Sequence, residues 1–389
     1  MRRLHFILLA GFSLFVAALP LRSAETIDVT TIAPGEEARL LPIAFSGFNG
    51  EAARVIRFDL EIAGFRIVPE DQAQYIITGR SSDPVEGSVT DRFSKSVLFS
   101  RRYSGSSIRS QAHAFSDDVV AAILKTPGIS RTKIVFKNDT GRNSELMVAD
   151  YDGHNAVQVT QDNSIVAAPT WVPGKRTLFY TSYKSSYPDI YSHDLNTGER
   201  RVIARYPGLN TSPAVSPDGR KVAMILSKDG SPDLYVSNID GSELLQLTRT
   251  REDESAPCWS PDGKTICVVS RINEKRGLYV VPATGGKLTR LSTAGILNPT
   301  EPEWSPDGKK IVFTSQMGGF NICTIPAQGG QAEILAAGED PSWAPNSRTV
   351  VFTRRIKNKR VLSLLDVHSK RVKDIAQISG SCSQPSWAK

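Results

Sequence analysis

The sequence has little of the chemistry from which catalytic and metal sites are built. Its 389 residues include only five histidines and four cysteines. The histidines are scattered, the cysteines show none of the close paired spacings of a zinc or redox site, and no Gly-x-Ser-x-Gly nucleophile elbow occurs. We therefore expect no metal, no cofactor and no enzymatic activity. The histidines are His5, His113, His154, His193 and His368. We expect His113 to pack or hydrogen-bond between domains.

Long apolar runs are also scarce. The one near the N-terminus runs from Phe6 to Leu19, behind Arg2 and Arg3, and is shorter than the ~20 residues that a spanning helix needs. This order is typical of a signal peptide, assigned to residues 1–24 and predicted to be cleaved on export. Cleavage after Ala24 or near Ala18 is left open. No cysteine in the first 25 residues offers a lipid attachment site, so we expect a soluble periplasmic protein, peripheral to the membrane at most.

A strong charge of one sign is missing as well. Without the predicted signal peptide the chain keeps 44 basic and 40 acidic residues, a net charge of +4. Such a balance lacks the clustered basic footprint of a nucleic-acid binder, so no nucleic-acid partner is expected. The densest basic run, Arg354 to Arg360, is predicted to be a solvated hairpin loop.

The four cysteines are expected to be buried free thiols. Cys258 and Cys267 would lie on neighbouring strands of one predicted sheet, in a compartment that favours oxidation. Their spacing leaves a disulfide open. The remaining two are Cys323 and Cys382.

One pattern recurs six times from residue 169 onwards: Pro, any residue, Trp, a small residue, Pro, Asp, Gly, a basic residue, then an alternating apolar run. The key large residues are spaced by 44, 44, 45, 39 and 44 positions. A period near 40–45 with several short strands per unit indicates a β-propeller. A helical solenoid is excluded because the units alternate with period two and contain frequent Pro and Gly. The key residues are Trp171, Val215, Trp259, Trp304, Trp343 and Trp387.

The ends of the repeat region complete each other. The first three-strand set, near Ile134 to Thr160, lacks an inner strand, whereas the last inner strand, Pro385 to Trp387, has no blade after it. Joining them gives six blades and removes the open sheet edges. Ser-Pro-Asp-Gly runs such as Ser216 to Gly219 are predicted to be tight turns within blades rather than calcium loops.

Residues before the repeat mix strands with helices. Ala52, Ile56, Leu60 and Ala63 share one helical face that Gly64 would terminate, and a second helix carries a stripe from Ile108 to Ile123. The predicted fold is an all-β six-bladed β-propeller preceded by a small α/β N-terminal domain. Predicted limits are 1–24 for the signal peptide, 25–130 for the α/β domain and 131–389 for the propeller.

The chain resembles the TolB family, the periplasmic components of the Tol-Pal system, over nearly the whole predicted mature chain. The resemblance rests on the order of signal peptide, α/β domain and propeller. It also rests on a junction formed by Arg109, Ala112, His113, Asp117 and Gly128, followed by Thr132 to Phe136, and on the Ser-Pro-Asp-Gly blades.

The resemblance implies a non-enzymatic bridge between the peptidoglycan-associated lipoprotein Pal and the inner-membrane protein TolA, which supports outer-membrane integrity and constriction at division. Pal would dock at the propeller mouth. The first segment of the mature chain would engage TolA, and its alternating Ile27 and Val29 would suit the addition of this segment as a strand to the edge of a partner's sheet. The corresponding mouth residues are Leu209, Asn210, Thr211, Ser212, Glu254, Ser255, Thr300, Glu301, Glu339 and Asp340. Those of the segment are Glu25, Thr26, Ile27, Asp28, Val29, Thr30 and Thr31.

Simpler interpretations stay open for both sites. Rim loops are polar in any propeller, and the N-terminal segment also fits an edge strand or linker of its own domain. A monomer is expected, and other envelope proteins are further candidate partners. The rival function is a periplasmic propeller that binds a small ligand or glycan in its channel.

Overall fold

The computed structural model describes residues 40–272 and 274–389. The predicted signal peptide and the segment Glu25 to Thr31 lie outside these residues. Among the residues described, no helix combines the length and apolarity needed to cross a membrane.

An α/β region precedes the propeller. Its sheet has the strand order β2-β1-β3-β4-β5, with β1 parallel to β2 and β3 and the remaining pairs antiparallel. The strands are β1 (Leu41–Ser46), β2 (Phe65–Ile67), β3 (Tyr75–Arg80), β4 (Val85–Asp91) and β5 (Val97–Tyr103), the helices are α1 (Gly50–Ile62) and α2 (Ile108–Leu124), and a short 3₁₀ helix spans Glu70–Gln72.

The two helices confirm the predicted apolar stripes. In α1, Ala52, Ile56 and Leu60 are fully buried, and the helix ends before Gly64, whose φ of +94° favours glycine. In α2, Phe115 lies in the same core, and the Ser107 side chain caps the first turn by accepting from the Ser110 amide. Strand β4 was not predicted, because glycine and polar residues dilute its apolar alternation.

Six four-stranded sheets follow and confirm the predicted propeller. Each sheet runs from an inner to an outer strand. Blade 1 comprises β9 (Val166–Trp171), β10 (Thr177–Ser182), β11 (Asp189–Asp194) and β12 (Arg200–Ala204); blade 2, β13 (Asn210–Val215), β14 (Lys221–Leu226), β15 (Asp233–Asn238) and β16 (Leu245–Gln246); blade 3, β17 (Ser255–Trp259), β18 (Thr265–Ile272), β19 (Lys275–Pro282) and β20 (Thr289–Arg290).

The remaining blades include the one that closes the ring. Blade 4 comprises β22 (Pro299–Trp304), β23 (Lys310–Gln316), β24 (Phe320–Pro326) and β26 (Glu333–Ala337); blade 5, β27 (Glu339–Trp343), β28 (Thr349–Ile356), β29 (Lys359–Asp366) and β30 (Val372–Asp374); blade 6, β31 (Ser381–Trp387), β6 (Lys133–Asp139), β7 (Ser144–Asp150) and β8 (Val157–Gln158). The short strands β21 (Thr293–Ala294) and β25 (Gly330–Gln331) pair separately.

Closure occurs as the sequence predicts. Strand β31 pairs antiparallel with β6, with Trp387 opposite Ile134 and Ser386 opposite Val135. The last strand of the chain thereby becomes the inner strand of the blade formed by the first strands of the repeat region.

The tryptophans connect neighbouring blades. The indole N–H groups of Trp171, Trp259 and Trp343 each donate to a backbone carbonyl of the preceding inner strand, at 2.9–3.1 Å. Trp387 instead donates to Thr132 Oγ1 at 2.8 Å. These bonds satisfy a buried donor while the rings fill the space between sheets.

The Ser-Pro-Asp-Gly runs form the predicted turns. Ser216 Oγ donates to Asp218 Oδ1 at 2.6 Å and accepts from the Lys221 amide, while Gly219 has a φ of +68°. The basic run at Arg354 to Arg360 forms a hairpin tip between β28 and β29, as predicted. All four cysteines are free and buried, and Cys258 lies opposite Cys267 on adjacent strands.

The α/β region contacts blades 5 and 6. Asp59 of α1 accepts hydrogen bonds from His113 Nδ1 at 2.8 Å and from the Tyr151 hydroxyl at 2.5 Å. His113 Nε2 lies 3.4 Å from Asp152, in the loop after β7, so this residue joins the two parts as expected. The domain limit between residues 130 and 131 stays a prediction.

Replacing Trp387 with alanine should lower the free energy of unfolding by about 3–5 kcal/mol, because the ring is 1% exposed and sits on the closing strand. Trp343→Ala is the matched control, since Trp343 is 0% exposed and occupies the equivalent place in blade 5, whose inner strand does not close the ring. Chemical denaturation of both variants checks this. Equal losses would contradict a special role for the closing strand.

Candidate functional site: the propeller mouth

The inner strands begin at one end of the channel, which we call the mouth. A cavity of about 410 Å³ opens there. It is lined by Ala168, Pro169, Ser212, Pro213, Ser255, Ala256, Pro257, Arg276, Thr300, Glu301, Pro302, Gln316, Asp340, Pro341, Gln384 and Pro385. The six prolines among these residues are the first residues of the six sequence repeats, so the repeat itself forms the wall of the channel.

A repeated backbone feature shapes this mouth. The residue before each of the six prolines has a φ between 48° and 55°, in the left-handed region. In every blade the strand register shifts at this point, as at a β-bulge. The six residues are Ala168, Ser212, Ala256, Glu301, Asp340 and Gln384. Residues with a side chain rarely adopt this conformation, so the ring stores strain.

This ring of left-handed residues was not predicted from the sequence. A residue before proline is biased towards extended backbone, and only glycine or asparagine normally signals a left-handed position. The one available signal was positional: all six residues directly precede the first proline of the repeat.

Four of these residues form a hydrogen-bonded chain from blade to blade. Glu301 Oε2 accepts from the Asp340 amide at 2.9 Å, and Asp340 Oδ2 accepts from the Gln384 amide at 3.0 Å. Gln384 Oε1 then accepts from the Ala168 amide at 3.0 Å. The chain runs through blades 4, 5, 6 and 1 and therefore crosses the closing blade.

The chain encloses two neighbouring carboxyl groups. Thr314 Oγ1 donates to Glu301 at 2.7 Å, and Thr353 Oγ1 donates to Asp340 at 3.0 Å. Burial, reinforced by the adjacent Glu301 carboxylate, raises the pKa of Asp340 to about 7. Within residues 40–272 and 274–389, no group of three His, Cys, Asp or Glu side chains is placed to hold a metal ion.

The structure brings half of the predicted mouth residues together. Ser212, Ser255, Thr300, Glu301 and Asp340 line the mouth cavity. Ser255 is exposed and the other four are partly buried. Leu209 and Thr211 are partly buried beside this lining but outside it.

The other three predicted residues are buried and hold loops in place. Asn210 is fully buried and donates to the carbonyls of Pro188 and Tyr206. Glu254 is 2% exposed and accepts from Thr248, Thr250 and Ser270 hydroxyls, and burial raises its pKa to about 7. Glu339 accepts two hydrogen bonds from Arg355 at 3.0 and 3.1 Å. A part for these three residues in partner binding stays a prediction.

Arg276, Gln316 and Gln384 also line the mouth and were not predicted. Arg276 lies at the mouth end of blade 3 on β19, a strand that the repeat does not mark, and Gln316 is the last residue of β23 in blade 4. The predicted N-terminal site, Glu25 to Thr31, lies outside the described residues.

A second cavity, of about 490 Å³, extends towards the opposite end of the channel. It shares five of the six repeat prolines with the mouth cavity and adds prolines of the turns and Trp171, Trp259, Trp304 and Trp387. Two blade loops contact the α/β region, one with Tyr151 after β7 and one with Arg348 before β28. Both loops lie at the end of the channel opposite the mouth. The α/β region thus contacts the propeller away from the mouth.

Comparison with known proteins gives consistent results. The family model described as "TolB beta propeller domain" matches residues 121–389. Curated relatives named "Tol-Pal system protein TolB" include one from Alcanivorax borkumensis, 32% identical over 166 residues, which are 40% of this chain and 38% of the relative. Another, from Alkalilimnicola ehrlichii, is 28% identical over 232 residues, 49% of this chain and 54% of the relative. The chain thus spans about half the length of the curated relatives it matches, or less.

A solved structure extends the likeness of fold beyond the propeller. The crystal structure of TolB from Acinetobacter baumannii superposes with a TM-score of 0.82, covering 92% of this chain and 98% of that one, at 23% identity. At this identity the match describes the fold alone.

Asp340→Asn should gain stability relative to the wild type as pH rises from 5 to 8. The pKa of Asp340 is higher in the folded state than in the unfolded state, so its protonated carboxyl group stabilises the folded protein. This contribution to the free energy of unfolding is complete below about pH 4 and is lost as pH rises towards 7. A folded-state pKa that lies one pH unit above the unfolded-state pKa corresponds to about 1.4 kcal/mol of stability. Unfolding free energies of both proteins at pH 5 and 8 measure the effect.

Asp218→Asn is the matched control. A hydrogen bond from Ser216 lowers the pKa of Asp218, so the group stays ionised throughout this range and its variant should differ from the wild type by a constant amount. A constant difference for Asp340→Asn as well would show that Asp340 does not titrate between pH 5 and 8.

Proposed function

We propose, from the premise that the chain belongs to the TolB β-propeller family, that it is a protein-binding component of the Tol-Pal system. It would be exported to the periplasm and act by binding rather than by catalysis. The observation that carries this proposal is the mouth: a ring of six bulged strands, held by hydrogen bonds between blades, at the end of the propeller away from the α/β region.

The lipoprotein Pal is the proposed partner at the mouth. Fixed backbone at a binding surface lowers the entropy lost on association. The mouth offers such a surface, with hydroxyl, amide and carboxyl groups from Ser255, Gln316 and Glu301 around a cavity too small for a protein domain. A partner would therefore sit on the rim and insert single side chains.

TolA is the proposed partner of the N-terminal segment, Glu25 to Thr31. The support is the sequence pattern alone: Ile27 and Val29 alternate with polar residues, which suits pairing with the edge of a partner's sheet. The α/β region contacts blades 5 and 6 away from the mouth. A chain that engages one partner through this segment and another at the mouth would bridge the two.

Channel binding of a small ligand or glycan is the second candidate function. The two channel cavities, of about 410 and 490 Å³, have the size of small-molecule sites. Capture from an envelope extract separates the candidates: recovery of a lipoprotein with a peptidoglycan-binding domain supports bridging, and its reproducible absence favours the channel ligand.

Ser255→Tyr should reduce capture of the purified Pal domain at least about tenfold, because a bulky side chain at this exposed mouth position prevents close seating of a partner. Thr284→Tyr is the matched control, since Thr284 is exposed in a loop at the opposite end of blade 3. Titration calorimetry measures binding and thermal unfolding verifies folding. Equal affinities for both variants and the wild type would exclude docking over blade 3.

Deleting residues 25–31 from the exported protein should abolish capture of TolA and leave capture of Pal unchanged. Ile27→Asp tests the same contact by removing one apolar side chain of the proposed added strand. Pull-down with each purified partner provides the readout. Loss of both partners, or of neither, would contradict separate sites.

A further inference from the structure

Two hairpins at the mouth repeat the sequence Arg-Ile-x-x-Lys-Arg. In blade 3 it runs from Arg271 to Arg276, and in blade 5 from Arg355 to Arg360. Both copies occupy the same place: Arg271 lies opposite Arg276 and Arg355 opposite Arg360, with the Ile and Lys of each motif paired beyond them. The two hairpins pair over eight residues, against six in blades 1 and 2, so they project further at the mouth.

The two hairpins flank blade 4. Arg276 donates to Gln316 Oε1 of β23 at 3.4 Å, and the Arg355 guanidinium lies 4.8 Å from the ring centre of Phe320 on β24. An arginine from each side therefore leans onto the same hairpin of blade 4, next to the mouth cavity.

The arginine pairs of the two hairpins differ in whether acidic residues compensate their positive charges. Like charges directly opposite each other destabilise a strand pair. In blade 5, Arg355 and Arg360 lie 3.0 and 3.5 Å from Glu339, and Arg360 also pairs with Asp139 at 3.2 Å. In blade 3, among the described residues, neither Arg271 nor Arg276 has an ion pair. The blade 3 pair thus keeps two uncompensated cations side by side.

A cleft of about 200 Å³ adjoins this pair. Three arginines line it, Arg251, Arg271 and Arg276, and two acidic residues, Glu252 and Asp253, so one positive charge is in excess. Within the described part of the chain, none of these five residues forms an ion pair. Ser255 and Arg276 line both this cleft and the mouth cavity.

We propose that this blade 3 cleft is a carboxylate-binding subsite, which takes an Asp or Glu side chain of the protein that docks at the mouth. A guanidinium group matches the planar carboxylate with two parallel hydrogen bonds, and three arginines line this cleft. The cleft has room for a side chain, and its shared wall with the mouth brings it within reach of a seated partner. The proposal rests on the proposed docking of Pal.

The test compares two double variants of the full mature protein. Arg251→Glu with Arg271→Glu reverses two exposed cleft charges that make no ion pair within the described residues, so folding should be preserved. Lys175→Glu with Arg176→Glu is the matched control, because these two exposed cations lie at the opposite end of blade 1 and likewise pair with no described acidic group. Calorimetry gives the Kd for the purified Pal domain in about 0.1 M and about 1 M salt, over which the Debye length falls from about 10 to about 3 Å.

The cleft variant should bind Pal at least about tenfold more weakly in low salt, with a smaller salt dependence than the wild type. The control should stay within about twofold of the wild type, since its charges lie far from the docked partner. Wild-type affinity in the cleft variant would overturn the subsite and leave docking itself standing.

A second titration separates failure of the subsite from failure of the proposed function. If wild-type protein does not bind Pal, docking is wrong, and a glutamate-rich peptide then probes the cleft directly. Peptide binding that is lost in the cleft variant and kept in the control supports the carboxylate site. No peptide binding, equal binding by both variants, or binding of inorganic phosphate alone would each overturn it.

Discussion

The pairing of β31 with β6 is the constraint on which the rest of the structure depends. Without it, the ring has two free strand edges, and blade 6 lacks its inner strand. The pairing joins residues more than 240 positions apart in the chain, as Ser381 opposite Asp139 shows. Contacts that depend on the pairing of β31 with β6 therefore form only once the ring has closed.

The closing strand also connects the two ends of the channel. At one end, the Trp387 ring lies 6.1 Å from Tyr151, which donates to Asp59 of α1. At the other end, the Gln384 backbone amide donates to Asp340 Oδ2, and the Gln384 side-chain oxygen accepts from the Ala168 amide. One seven-residue strand thus contributes to the α/β contact, to closure and to the mouth. Each left-handed residue at the mouth costs about 1–2 kcal/mol, which hydrogen bonds across neighbouring blades help to offset.

The sequence predicts the parts of this molecule that depend on local chemistry. The repeated tryptophans, such as Trp171, and the turn at Ser216 to Gly219 were sufficient to predict the blades and the closure of the ring. Burial and turn preference act on a few consecutive residues, so both can be recognised in the sequence. The left-handed ring was missed, since local sterics favour extended backbone before proline and only the bulged strand geometry overrides it. Asn210 and Glu254 were assigned to the mouth from the resemblance to the TolB family, and their burial depends on partners such as Pro188 and Ser270 that lie elsewhere in the chain.

Buried carboxyl groups near the mouth count towards the net charge of the chain but contribute little to the charge that its surface presents to a partner. Glu254 and Glu339 face inwards and are occupied by hydroxyl and guanidinium groups of this chain. Several cations of the same loops, including Arg251 and Arg271, are exposed to solvent. A charge in water acts on an approaching partner, whereas an enclosed, paired one acts mainly on its neighbours. The blade 3 cleft, with three arginines against Glu252 and Asp253, therefore presents a net positive charge at the mouth. The sign of a binding surface therefore follows from which charges are already paired within the protein.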